Sequence, residues 1–140
     1  MLQRIQSIFL LLASGGFWSL FALPLAGTSQ VKADSVYADG NLTIQDHTAL
    51  LGLCIVGAIV SLITIFLFKN RNLQKSMSWL VVLCGLILGG FGYWLFSSSG
   101  QGATLQAGIG IPFVSSVLAF IAGIFIGKDE KLVKSMDRLR

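Results

Sequence analysis

The chain has 140 residues, 54% hydrophobic and 11% charged, with a net charge of +4 at pH 7. So small a charged fraction excludes a sizeable water-soluble domain. The basic excess does not indicate nucleic acid, because the cations lie at the margins of charge-free stretches, where Lys and Arg set membrane topology.

Four stretches, near 5–26, 48–68, 76–96 and 104–127, carry no charge. Each is long enough to cross a bilayer, which takes about 20 apolar residues at ~1.5 Å rise each. The expected fold is an all-α membrane protein: a single four-helix transmembrane domain over residues 1–140.

The first stretch follows Arg4 and resembles a signal peptide, but its apolar run from Ile8 to Ala26 exceeds the length of a signal core, so a retained helix is expected. Pro24 is expected to end or bend it. Residues 27–47 form an outer loop. Within it, residues 34–45 read as a small extracytoplasmic β-hairpin. Asp39-Gly40 would form its two-residue turn, pairing Tyr37 with Leu42 and Ser35 with Ile44. A loop without this pairing is the alternative reading.

Asp46 and His47 open the second span. An acidic N-cap explains them better than a metal or proton site, because His47 is the chain's single histidine. Lys69, Arg71 and Lys75 mark a tight connection into the third span, where Trp79 at one end and Tyr93-Trp94 at the other suit the two interfacial aromatic belts. Residues 97–103 are an uncharged turn rich in Ser and Gly. Pro112 either kinks the fourth span or marks its regular start. The tail, 128–140, is amphipathic and cytoplasmic. It either extends the fourth helix or lies on the membrane surface.

With four spans, one side of the membrane receives Arg4, Lys69, Arg71, Lys75, Lys128, Lys131, Lys134, Arg138 and Arg140, and the other only Lys32. This bias predicts an N-in, C-in topology. Small residues permit close helix approach in lipid. The row Ser115, Ala119, Gly123 and Gly127 in the fourth span, Gly85 and Gly89 in the third, and Gly15 and Ser19 in the first therefore read as packing seams rather than as a homo-oligomer face.

Cys54 and Cys84 read as buried packing residues. Their depths in the bilayer differ by roughly 9 Å at helical rise, so no disulfide is expected. The spans hold serines, including Ser61, Ser115 and Ser116, but no His or Lys to activate them. They also lack the carboxylate of a proton-coupled transporter and the paired cysteines of a disulfide-handling oxidoreductase. No catalytic, cofactor-binding or metal-binding residue is assigned, and no cofactor is expected.

Arg4-Ile5-Gln6 at the start, Asp129-Glu130 and Asp137-Arg138-Leu139-Arg140 at the end resemble the two ends of a family of uncharacterised four-span bacterial membrane proteins. That family is found mainly in Bacteroidota and is catalogued as a domain of unknown function. The resemblance implies an inner-membrane location and a four-helix fold, and no activity. The function expected is a non-enzymatic accessory component. Its partners would be the lipid bilayer and another membrane protein, and not nucleic acid. The alternatives are a small channel or transporter component acting as an oligomer, and a lipid-handling role.

Overall fold

The computed structural model describes residues 2–28, 39–98 and 102–137. It contains four helices: α1 (Leu2–Ser19), α2 (Thr48–Phe66), α3 (Arg71–Ser98) and α4 (Ile111–Asp137). α1 packs on α2 and α4, and α3 packs on the same two helices, so the helices form a ring in chain order. Three segments, Thr48–Phe66, Arg71–Ser98 and Ala107–Val133, are long and apolar enough to cross a membrane, and Ile5–Ser19 is a shorter apolar helix.

The helix limits depart from the charge-free stretches for local reasons. α1 stops at Ser19, short of residue 26. The chain tightens there through i→i+3 bonds, Leu20 N–H to Phe17 C=O and Phe21 N–H to Trp18 C=O, and the Ser19 hydroxyl takes the Gly16 carbonyl. Pro24 then has no N–H to continue the ladder. α3 starts earlier than expected because Asn70 caps it: its side-chain oxygen accepts from Leu73 N–H at 3.3 Å and its carbonyl from Gln74 N–H at 2.9 Å. Most of the cationic connection is thus helix. Pro112 is the second residue of α4, where the missing N–H costs no helix bond, so it marks the start and not a kink. The described tail continues α4 to Asp137.

The end of the ring formed by the start of α2 and the end of α1 carries a three-stranded antiparallel sheet. The strands are β1 (Ala26–Thr28), β2 (Asn41–Leu42) and β3 (Ala103–Leu105), in the order β2-β1-β3. Two parts of the expected hairpin are corrected, its two-residue turn and the strand position of Ile44. Leu42 pairs with Ala26, and Ala26 pairs on its other edge with Leu105. Ile44 lies fully buried in a 3-10 turn and not in a strand. Gly40 takes the positive φ of 76°, but among the described residues no non-glycine does, so Asp39 is not half of a type I′ turn. Tyr37 and Ser35 lie outside the described residues. The sheet is pinned to the helices at Gly108, whose N–H donates to the Pro24 carbonyl at 3.1 Å and whose missing Cβ lets that carbonyl approach.

The ring axis is filled. Phe17 of α1 is fully buried and reaches α2 at Gly57, where an added Cβ would stand 2.9 Å from the ring, and α3 at Gly85, where it would stand 3.4 Å away. The expected seam of α4 holds: Ser115, Ala119 and Gly123 are buried and Gly127 is half-buried. In α1 the seam lies one step round from the expected face. Gly15 is exposed with nothing near it, and Gly16 meets Ser115.

Candidate functional site

The buried hydroxyls and thiols join helices in pairs. Ser14 of α1 donates to Ala58 C=O of α2 at 3.2 Å, and Cys54 of α2 donates back to Phe17 C=O at 3.0 Å. Between α3 and α4 the exchange recurs, from Ser78 to Ala119 C=O and from Ser116 to Val82 C=O. Ser61 turns to Ala58 C=O in its own helix, and Ser115, against Gly16, has no hydrogen-bond partner among the described residues. Cys54 and Cys84 are both free and buried.

At the sheet end, Asp46 and His47 each cap a helix start, with the roles divided differently from expectation. Asp46 accepts from Thr43 N–H at 2.6 Å and from the Thr43 hydroxyl at 2.8 Å, closing a capping box on the 3-10 turn. His47 is the N-cap of α2, with Nδ1 accepting from Ala49 N–H at 3.2 Å. Its ring meets Phe91 edge-on at 5.0 Å. Among the described residues no three His, Cys, Asp or Glu side chains gather into a metal-sized group.

The opposite end holds a polar constellation to which three helices and the α2–α3 turn all contribute. Gln6 of α1, Phe68 of the turn, Arg71 and Gln74 of α3, and Ile126 and Asp129 of α4 line a narrow crevice too tight to hold a water molecule. Arg71 donates from Nη1 to the Asp129 carbonyl at 2.9 Å, tying α3 to α4. Gln74 donates from Nε2 to Thr64 C=O at 3.1 Å, tying α3 to α2. Gln6 is 2% exposed, yet its Nε2 has no hydrogen-bond partner among the described residues. A buried donor left unpaired costs about 1–3 kcal/mol, so this amide is the least settled polar group at that end. Lys69, Lys75, Lys128 and Lys131, all exposed, surround the same end.

The crevice offers hydrogen-bond donors from Gln6 and Arg71 and one carboxylate from Asp129.

The sequence reading placed Gln6 only in the family-like start and did not single out Gln74, and expected neither to be buried. Each had a signal: Gln6 shares its buried face with Leu10, Ala13 and Phe17, and Gln74 with Ser78, Val81 and Gly85, at helical spacing. A glutamine on an otherwise apolar and small-residue face is the mark of a polar group turned inward.

A ring of apolar helices with a polar crevice at its cationic end and a small sheet at the other defines a class of mainly helical protein with membrane-length segments. The chain belongs to the family described as Domain of unknown function (DUF4293), whose model matches residues 2–139. Neither the curated proteins nor the solved structures give a match.

Proposed function

We propose that the chain is a four-span protein of the bacterial inner membrane with both termini in the cytoplasm. In this reading it serves as a non-enzymatic accessory that associates with another membrane protein. The observation that carries the membrane reading is the outward face of the ring. Leu11 (57% exposed), Ile63 (51%), Ile87 (53%) and Val117 (57%) point away from it, one from each helix. Serines and glycines occupy many of the inward positions. A helix packed in water turns its large apolar residues to the core. A helix packed in lipid has no such preference and brings small residues to its contacts.

The orientation rests on the cations. Lys69, Arg71, Lys75, Lys128 and Lys131 share one end of the ring, and the rule that cytoplasmic loops are cation-rich places that end inside. α1 spans in this reading, since 18 residues reach about 27 Å against a hydrocarbon core of about 30 Å. Its Leu10, Ala13 and Phe17 are fully buried against the other helices.

The accessory role is supported by the C-terminal part of α4. This 27-residue helix is about 40 Å long, so it outruns the hydrocarbon. It then exposes Leu132 (54%) and Val133 (41%) beside Lys128 and Lys131. Phe17 in the ring axis argues against a pore through a single copy.

Site-specific photo-crosslinking from position 132, in cells, tests the role. One reproducible heterologous membrane protein, lost when Leu132 and Val133 are replaced by Ser, is the expected product. Adducts confined to copies of the chain itself would favour the oligomeric channel instead.

A further inference from the structure

We propose that an open groove on the C-terminal extension of α4 seats an anionic phospholipid of the cytoplasmic leaflet, with its phosphate between Lys128 and Lys131. The inference rests on the membrane reading and orientation proposed above. Lys128, Lys131, Leu132 and Ser135 line the groove, which has room of about 480 Å³. They stand at i, i+3, i+4 and i+7, so they share one face of the helix. The exposed apolar residues Val114, Val117 and Ile124 lead into that face, at spacings of three, seven and then four to Lys128. The stripe of α4 that meets acyl chains in the membrane therefore runs straight into two ammonium groups.

The depth fits as well. Lys128 is the first charge of α4 and follows directly on its apolar run. Lys131 lies about 4.5 Å further along the axis, within a headgroup layer of about 5–7 Å on each side of the hydrocarbon. Lys128 Nζ stands 5.7 Å from the centroid of the Phe125 ring, and Phe125 stacks on Phe9 of α1 at 5.9 Å. The ammonium is thus folded back over an aromatic pair, at the level where the apolar stripe ends. Acyl chains along Val117 and Ile124, with negative charge at Lys128 and Lys131, describe an anionic lipid. Val133 turns about 100° away from Leu132, so lipid on this face leaves a side of the extension open to a protein partner.

The test uses the full chain, purified in a neutral detergent, with thermal unfolding followed as phosphatidylglycerol, phosphatidylcholine or inorganic phosphate is added. Phosphatidylglycerol is expected to raise the midpoint more than phosphatidylcholine, and inorganic phosphate to leave it level. Lys128→Gln and Lys131→Gln are each expected to weaken the phosphatidylglycerol effect about fivefold in apparent affinity.

Lys69→Gln, an exposed cation at the same end but outside the groove, is expected to keep the effect. Equal responses to the two lipids would overturn the proposal, as would an undiminished response in either groove variant. Loss in Lys69→Gln as large as in Lys128→Gln would mean diffuse surface charge and would overturn it too. A matching shift with inorganic phosphate would assign the two lysines to a free anion and not to lipid. Orientation is read separately by thiol labelling in membranes. A failed lipid response beside correct labelling therefore sinks this site alone.

Discussion

Ser78 and Ser116 exchange hydrogen bonds across the seam between α3 and α4. Ser78 donates to Ala119 C=O at 2.7 Å, and Ser116 to Val82 C=O at 3.2 Å. Each acceptor lies one helical turn beyond the other serine, so the two bonds fix the register of the helices. The single hydroxyl hydrogen of Ser116 is shared with Pro112 C=O of its own helix, at 2.8 Å. Bonds of this kind between membrane helices are worth about 0.6 kcal/mol on average and up to about 1.7. Ser78→Ala is therefore expected to destabilise by about 1 kcal/mol and Ser116→Ala by less, in denaturant titrations of the detergent-solubilised protein. The reverse order would show that the longer Ser116 bond, and not that of Ser78, carries more of the seam.

Glycine positions separate the seam from the exposed face. A Cβ at Gly85 would stand 2.7 Å from the Pro112 carbonyl, which is backbone and cannot swing away. A Cβ at Gly123 would meet Ser78 Oγ at 3.3 Å, a milder contact. At Gly90 nothing lies within 4 Å. Melting temperatures should fall most for Gly85→Ala and little for Gly123→Ala, and stay level for Gly90→Ala. Gly123→Leu should cost about 1–3 kcal/mol through overpacking, while Ile124→Leu, on the exposed face, should be nearly silent.

Phe17 is the largest fully buried side chain and fills the space between α1, α2 and α3. Phe17→Ala should leave a cavity there and cost about 3–5 kcal/mol, the range for aromatic truncation in a packed core. A variant that unfolds with the wild type would mean that the ring closes over the gap, and that the axis is not held open by this residue.

Cys54 and Cys84 are free and buried, and Cys54 is engaged with the Phe17 carbonyl. Alkylation of the folded protein should be slow at both. Unfolding without reductant should expose two thiols to the reagent, and intact mass would count them. A mass showing no alkylation until reductant is added would contradict the assignment.

Much of this architecture is legible in the sequence, and what is not has a physical cause. The uncharged runs identify α2, α3 and α4 because an ionised side chain is costly in hydrocarbon. Their ends are set by groups that hydropathy does not weigh: the Asn70 cap, the Pro112 start and the tightened turn before Pro24. The sheet was hidden for a different reason. Ala26-Gly27-Thr28 continues an apolar run, and its partners at 41–42 and 103–105 are remote in sequence, so no local alternation marks it. The hairpin reading followed a local turn signal where the pairing is long-range. The polar crevice was obscured in a similar way, since Gln6, Arg71 and Asp129 are brought together only by the packing of three helices.

The central claim is four spans with the cationic end inside the cell. Ala107, exposed in the turn before α4, and Asn72, exposed in the first turn of α3, lie at opposite ends of the ring. Ala107→Cys and Asn72→Cys, each in a chain with Cys54 and Cys84 replaced by Ala, can be treated with a membrane-impermeant thiol reagent in spheroplasts. The account predicts labelling of the cysteine at 107 in intact spheroplasts, and of the cysteine at 72 only after lysis. Labelling at 72 from outside, or equal labelling of both before lysis, would contradict it.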